Sequence, residues 1–415
     1  MKIQGLVVLG LAALVGCGEG GAARTEGVAA AGAPVEPSRR DSAGVEILEF
    51  PENAREMAPQ FTVSAEPITV IGDDEDGSDA IGLAHSALML PEGGVVLWDD
   101  TEGQLVLFDA AGDLVRRVGQ RGQGPGDFSS VRQLTLQGDS VLVSDPGNSR
   151  LGIYSAGLEL LTTESLPLDC RRESIVGRLP GGEYVGFSTG ILPWDLERAD
   201  TIQRKPEALL LIDAGRCDTL LTLPGMEVRT VELLQLSRSL TQSVPVRYGR
   251  RPQVAVWGPE IATGTGDVYR VDLRNETGAI HRRLQVEWAA SPIPPGARDT
   301  VLNQALAQFK TPGAERMIDR EASRQFTINH TYVTDSLPAF HNLMVSSDGQ
   351  LWVLGAWAPG LSEREATAFD RDGWMVAHLR MPSRFRPLGF GPARVLVQWE
   401  ANARSNSGNQ QFKSA

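Results

Sequence analysis

Two stretches of the chain repeat one pattern of short apolar runs separated by turn residues. Residues 86–119 and 131–166 each hold four apolar runs, rich in Val, Leu, Ile and aromatic residues and bounded by Gly, Pro, Asp, Asn or Ser. Such runs are typical of β-strands. Asp99 corresponds to Asp145, and Phe108 to Tyr154, at an offset of 46 residues in both cases. This offset is close to the length of one four-stranded propeller blade.

The pattern continues, less regularly, towards the C-terminus. The sequence predicts further strands at 174–189, 208–213 and 217–223 (third blade), 253–257, 260–264, 267–273 and 279–288 (fourth), 338–345, 350–357, 365–369 and 374–381 (fifth), and 386–390 and 394–400 (sixth). Residues 226–250 are predicted to be a connection. Leu302, Leu306 and Phe309 recur at helical spacing, which predicts a helical insertion at 297–328, between blades four and five.

The sixth blade has only these two strands near the C-terminus, because residues 401–415 are polar and are predicted to be a disordered tail. We expect the N-terminal runs 45–50 and 61–71 to complete it, since placing strands from both chain ends in one sheet protects the last edge. The predicted fold is all-β, a six-bladed β-propeller of four-stranded antiparallel blades over residues 41–400.

The connection after the first blade makes this prediction more specific. The run Gly119–Phe128 and the strand Val143–Arg150 resemble the bacterial six-bladed β-propeller lipoproteins, relatives of the NHL-repeat propellers. The connection matches their G-x-x-G-x-G-P-G-[ED]-F pattern at Gly119, Gly122, Gly124, Pro125, Gly126, Asp127 and Phe128, and the strand matches V-x-D-x-x-N-x-R at Val143, Asp145, Asn148 and Arg150. We expect Phe128 to pack between neighbouring sheets, and Asp99 and Asp145 to bind backbone in the adjoining turns.

The N-terminus indicates export. Lys2 precedes the apolar run Leu6–Val15, which is about half the roughly 20 residues that a membrane-spanning helix needs. The sequence Leu14-Val15-Gly16-Cys17 resembles a bacterial lipobox, so residues 1–16 are predicted to be a lipoprotein signal peptide and Cys17 the lipidated residue. An ordinary secretory signal cut nearby is the alternative. Residues 17–40, rich in Gly, Ala, Pro and Glu, are predicted to be a flexible tether.

If Cys17 is lipidated, two cysteines remain. Cys170 and Cys217 are then a candidate disulfide in an oxidising compartment, and two free thiols are the alternative. The absence of a C-x-x-C motif leaves zinc and dithiol redox chemistry unsupported.

Charge and motifs narrow the function. The net charge of −13 argues against nucleic acid as a partner, because phosphate binding needs clustered Lys and Arg. The acidic turn 72–80 lacks EF-hand spacing. Walker, H-E-x-x-H and serine-nucleophile motifs are also absent, so no metal or cofactor is expected.

The remaining candidates are polar residues near blade entries and loops. Arg121, Asn148 and Arg150 are candidate ligand contacts, with blade-to-blade hydrogen bonding as an equal alternative. His85 and His341 each open the first strand of a blade, where a side chain can point into the central channel. We interpret the protein as a membrane-anchored binding or scaffold module of the cell envelope that engages a protein, peptide or glycan. A propeller hydrolase or lyase with its site at the channel stays open.

Overall fold

The structure is a computed structural model that describes residues 6–13, 32–72, 80–167, 169–170, 173–188, 202–213, 215–235, 238–307, 309 and 320–399. The strands that precede the first blade in the sequence are β1 (Leu6–Ala13), β2 (Ser38–Ser42), β3 (Val45–Phe50) and β4 (Gln60–Ile71), with a short helix α1 (Ala54–Met57) before β4. Blade one contains β5 (Ala84–Met89), β6 (Val95–Asp99), β7 (Gln104–Phe108) and β8 (Leu114–Val118). Blade two contains β9 (Gln133–Gln137), β10 (Ser140–Asp145), β11 (Arg150–Ser155) and β12 (Leu160–Ser165), with a 3₁₀ turn at Pro146–Asn148.

The other four blades follow in chain order. Blade three contains β13 (Ser174–Arg178), β14 (Tyr184–Phe187), β15 (Ile202–Asp213), β16 (Arg216–Gln235) and β17 (Arg238–Pro245). Blade four contains β18 (Gln253–Trp257), β19 (Glu260–Gly264), β20 (Arg270–Arg274) and β21 (Ile280–Val286). The helices α2 (Ala297–Ala307) and α3 (Arg320–Asn329) precede blade five, which contains β22 (Asn342–Val345), β23 (Leu351–Leu354), β24 (Glu363–Phe369) and β25 (Met375–Pro382). Blade six begins with β26 (Phe385–Gly391) and β27 (Arg394–Trp399).

The first strands of the six blades form a closed ring. Each contacts the first strand of the next blade, in the order β5, β9, β13, β18, β22, β26 and back to β5. The sheets therefore radiate about one axis, which confirms the predicted six-bladed propeller. The helical insertion also lies where the sequence predicts it.

The blades pack through apolar faces on both sides. All five residues of β6 and of β19 are buried. Phe128 lies between blades one and two, with its ring centroid 5.2 Å from that of Trp98 and 6.2 Å from that of Tyr154. Trp352 of blade five stacks on Phe390 of blade six at 4.2 Å. Aromatic pairs of this kind stabilise by about 0.5–1.5 kcal/mol beyond area burial.

The N-terminal segment joins the outer edges of blades four, five and six. β3 pairs in parallel with β21, and β4 pairs in parallel with β25. Val35 bridges Met375, and Phe50 packs edge-on against Phe369. The expectation that 45–50 completes the sixth blade is therefore wrong, because this strand extends blade four. Residues 32–40 also lie against the blades, so the ordered structure starts before Asp41.

Blade six is completed by strands from the N-terminus. Its sheet order is β26-β27-β1-β4, with β1 antiparallel to both neighbours. β4 corresponds to the predicted run 61–71. β1 is the run that the sequence assigns to the signal peptide, and five of its eight side chains are buried. Cys17 and the tail 401–415 lie outside the described residues.

Blade three carries an arm that the sequence analysis missed. Residues 226–250 were predicted to be a connection, but β16 runs on to Gln235 and pairs with β17. In the sequence, Pro224-Gly225 suggests the end of a strand. In the structure the pairing of β15 with β16 continues past it, with a register irregularity next to the pair Pro206 and Pro224. A disulfide joins Cys170, just before the first strand of this blade, to Cys217 on β16, with a Cα–Cα distance of 6.0 Å.

Two buried aspartates at equivalent positions fix the entries of blades one and two. Asp99 accepts hydrogen bonds from the backbone N–H groups of Gly82 and Thr101, at 3.1 and 3.0 Å. Asp145 accepts from the N–H of Ser130 at 2.8 Å. Both side chains are almost fully buried. Each carboxylate thus ties the end of a second strand to the connection that enters the same blade.

Replacing Asp145 with Ala should therefore lower the free energy of unfolding by about 3 kcal/mol, because buried N–H donors would be left without an acceptor. Urea denaturation followed by circular dichroism measures the change. Asp139→Ala, at an exposed turn of the same blade, is the matched control and should change little. Equal stability of the two variants would contradict the structural role of Asp145.

Candidate functional site at the channel mouth

The beginnings of the six first strands surround one end of the central channel. Within each blade, neighbouring strands of the meander are antiparallel. The chain enters every blade from the same face of the disc, so the six first strands run in the same direction. We use the name channel mouth for six polar or charged residues within two positions of these beginnings, which are His85, Arg132, Glu173, Arg251, His341 and Arg386. The mouth thus gathers residues from all six blades that are far apart in the sequence.

Two adjacent arginines before β18 have different surroundings. Arg250 is bound to the buried Glu227, with Nη1 3.2 Å from Oε1, and its Nε lies 3.5 Å from Asp267 Oδ1. Its Nη2 also donates to Ser336 Oγ at 3.2 Å. Arg251 is exposed and forms no side-chain hydrogen bond or ion pair within the described part of the chain. Arg250 therefore holds the base of the arm, while the charge of Arg251 is available to a ligand.

The mouth holds two further exposed arginines. Arg386, on β26, and Arg132, just before β9, are exposed and form no ion pair with any carboxylate that the structure describes. Arg386 reaches Gln398 Oε1 at 3.5 Å. Partial desolvation by the surrounding protein, followed by repulsion from the Arg386 guanidinium, lowers the pKa of Arg251. The two cations are thus close enough to repel each other.

Two acidic groups, Glu173 and Glu207, lie near these arginines. Burial raises the pKa of Glu173, which lies near Arg132, and the pKa of Glu207, which lies near Arg251. The Glu207 carboxylate also holds the backbone of strand β16, because it accepts a hydrogen bond from the Met226 N–H at 2.7 Å. The mouth therefore offers positive charge on a protein whose overall charge is −13.

His341 is the one mouth histidine whose side chain the structure describes. Its Nδ1 lies 2.8 Å from the carbonyl oxygen of Gly355. A carbonyl only accepts, so Nδ1 carries the proton and Nε2 keeps its lone pair in the neutral ring. Burial, followed by the Arg251 charge, lowers the pKa of His341 to about 4. This histidine is therefore neutral at pH 7. His85 begins the corresponding part of blade one, but its side chain lies outside the described set.

The other candidates from the sequence bind the connection between blades one and two or the end of strand β6. Asn148 Nδ2 donates to the Gly122 carbonyl at 3.0 Å, and Arg150 donates to the carbonyls of Gly124 and Asp127. Both side chains thus hold the connection that enters blade two. Arg121 donates to the Asp100 carbonyl and is half exposed. The bonds of Asn148 and Arg150 lie within blade two and the connection that enters it, so both side chains have structural partners there.

Arg132, Arg251 and Arg386 were missed by the sequence analysis. Each lies within two residues of the start of a blade's first strand. A charged residue at the start of a predicted first strand was therefore the pattern that could have identified them. The sequence alone could not show which of the two adjacent arginines, Arg250 or Arg251, is held in ion pairs and which is exposed.

The residues with described positions contain no cluster of three or more His, Cys, Asp or Glu side chains that could hold a metal ion. None of their exposed large apolar side chains lies on α2 or α3. No helix among them has the length and apolar character needed to cross a membrane.

The fold and the mouth define a six-bladed β-propeller with a polar, basic channel entrance. Residues 86–199 match the family DUF5128, which is described as a 6-bladed beta-propeller. This match confirms the resemblance drawn from the sequence. No curated protein matches the chain significantly.

Solved structures with similar folds share little sequence with this chain. An exported protein of Bacteroides fragilis has 15% identity and a TM-score of 0.41, with 81% of this chain and 80% of that chain covered. Virginiamycin B lyase from Staphylococcus aureus has 10% identity and a TM-score of 0.35, with 80% and 97% covered.

Stability should fall as the pH is lowered from 6.5 towards 4. The pKa of His341 is about 4 in the folded protein, and burial, followed by Arg55, lowers that of His378 to about 4 as well. The unfolded chain, in which histidine has a pKa near 6.5, takes up protons first in this window, so protonation favours unfolding. Urea titrations at several pH values measure the slope. His341→Gln should flatten it, and an unchanged slope would contradict the burial of the neutral ring.

Proposed function

We propose that the protein is a lipid-anchored binding module of the cell envelope whose channel mouth holds an anionic group of a protein, peptide or glycan ligand. The observation that carries this proposal is Arg251, which is exposed beside Arg386 and forms no ion pair with a described carboxylate, although Glu207 lies near it. The adjacent Arg250, by contrast, is bound by two carboxylates.

Placing two guanidinium groups close together is unfavourable unless an anion joins them. A carboxylate or sulfate can accept paired hydrogen bonds from the planar guanidinium fork, which fixes its orientation. The chain as a whole carries a net charge of −13, so the arginines of the mouth are a local concentration of positive charge that attracts an anion. An acidic side chain of a protein or peptide and a uronic or sulfated sugar share this chemistry.

Anchoring in the envelope is supported by the sequence alone. The apolar run, the small residues before Cys17 and the Gly- and Ala-rich segment that follows are the parts of a lipoprotein leader and tether. Two or more acyl chains on one residue hold a protein on a membrane, whereas one chain holds it only marginally.

A hydrolase or lyase at the mouth is the second candidate, because His341 is neutral and keeps an unprotonated Nε2. Such a nitrogen can accept a proton from a bound substrate, as general-base catalysis requires. Binding does not require this nitrogen, so the two candidates differ in whether His341 is needed for turnover.

Arg251→Ala should weaken the binding of an acidic ligand by about tenfold or more, because a charge-assisted hydrogen bond contributes about 1.5–3 kcal/mol. The probes are oligogalacturonate and a hexaglutamate peptide, measured by calorimetry at low and high salt. Arg216→Ala removes an arginine that is paired with Asp218 on the outer strand β16, and this control should bind as the native protein does.

The outcomes separate the two candidates. Equal affinity of native protein and Arg251→Ala, or no binding of either probe at low salt, would contradict an anion site at the mouth. Turnover of a glycan or lactone that is lost in His341→Gln, with the fold unchanged, would replace the binding module by the enzyme.

Cys17→Ala should move the protein from the membrane fraction to the soluble fraction of a lipoprotein-processing host. The same change should abolish incorporation of labelled fatty acid, because the thiol that carries the diacylglycerol is gone. Fractionation and labelling measure both effects. Persistence of the variant in the membrane fraction, with no label on the native protein, would contradict lipidation at Cys17.

A further inference from the structure

The third strand of blade six, β1, belongs to the leader that is cleaved off if the protein is processed as the proposed lipoprotein. β1 lies between β27 and β4, where Leu6 faces Gln398 on one side and Ile71 on the other. It is antiparallel to both neighbours, and the Leu11 N–H donates to the Ala393 carbonyl at 2.9 Å. If the leader is cleaved before Cys17, this strand is lost from the mature chain.

The strand is apolar on both of its faces. Leu6 and Val8 pack with residues of blade one, such as Phe108. Val7, Leu9 and Leu11 pack with residues of blade five, such as Leu379. All five side chains are at most 7% exposed. The position that they occupy therefore accepts an extended segment of aliphatic residues and excludes a charged one.

Removal of β1 leaves a gap of one strand width. Strands two positions apart in a sheet are roughly 9–10 Å apart, which is too far for β27 and β4 to bond directly. The facing edges of both strands would then present unpaired backbone donors and acceptors beside apolar side chains. β4 would remain attached through its parallel pairing with β25, from Gln60 to Thr62.

We propose that the mature protein, once Leu6–Ala13 is cleaved off, binds an extended apolar segment of a partner polypeptide as the third strand of blade six. The segment carries no charge, has aliphatic residues at the positions of Leu6–Leu9 and Leu11, and runs antiparallel to β27 and β4, as β1 does. This is recognition by strand addition, in which backbone hydrogen bonds provide affinity and the alternating side-chain sites provide specificity. The inference rests on the leader removal that the proposed function includes.

The test starts from the folded full chain. A Cys17→Ser protein with a protease site inserted within residues 18–31 is produced in an oxidising cytoplasm, folded and then cut. A fluorescent peptide with the sequence of Leu6–Ala13, flanked by lysines for solubility, is added in excess. We expect it to exchange into the protein and to raise the thermal midpoint above that of the cut protein cleared of its own fragment.

Two altered peptides test which side chains are accepted in the slot, which is the position of β1 between β27 and β4. A Val8→Asp peptide buries a charge, and a Leu9→Pro peptide lacks a backbone donor, so each should bind at least about tenfold more weakly, equivalent to about 1.4 kcal/mol. If the cleared protein does not stay folded, refolding is repeated with each peptide present. Recovery of the fold with the native peptide and not with the altered ones is the expected result.

Three results would overturn the proposal. The first is a cleared protein that stays folded and binds no native peptide. The second is refolding that no peptide assists. The third is membrane-extracted protein that still contains Leu6–Ala13 by mass spectrometry, since the slot would then never open. Anion binding by the same cut protein reports on the channel mouth separately, so failure of one site is distinguishable from failure of the other.

Discussion

Each sheet of this protein must be covered on both faces, and this requirement determines the ring. Strands such as β6, β19 and β27 are buried along most or all of their length. A sheet of such strands would be insoluble alone, because both of its faces need to be removed from water. All six sheets have both faces covered only when the last sheet contacts the first. The stability of every blade therefore depends on closure of the ring.

Closure is achieved by the N-terminal part of the chain. β4 belongs to blade six and also pairs with β25, so blades five and six form one continuous sheet. β3 extends blade four, and the residues between β3 and β4 fill the space between blades four and five. Val35, Leu48, Phe50, Ala54 and Ala58 are buried there together with core residues of both blades. The blades at the end of the chain are therefore held by contacts between residues separated by more than 200 positions, which makes this side of the ring depend on long-range order.

The sequence predicted what is encoded locally. Four-stranded blades follow from apolar runs and turn residues, and the roles of Phe128, Asp99 and Asp145 follow from their places in a repeated unit. The strand β3 was misplaced because its parallel pairing with β21, the last strand of blade four, leaves no local signal. The β16–β17 arm was missed because Pro224-Gly225 resembles a break, although the opposing strand accommodates it. Arg251 was missed because its importance depends on Arg386 and His341, which lie on other blades.

The ambiguity of Leu6–Ala13 has a physical cause. A strand covered on both faces needs aliphatic residues at every position rather than at alternate ones. The core of an export signal also needs an unbroken aliphatic run, since it must leave water for an apolar environment. Both requirements select for partition out of water, and neither depends on periodicity. One segment of eight residues therefore satisfies both, and composition alone cannot assign it to one of them. What distinguishes them is whether the chain is cut between this segment and Val35, since Val35 is where the described chain first packs onto the blades again.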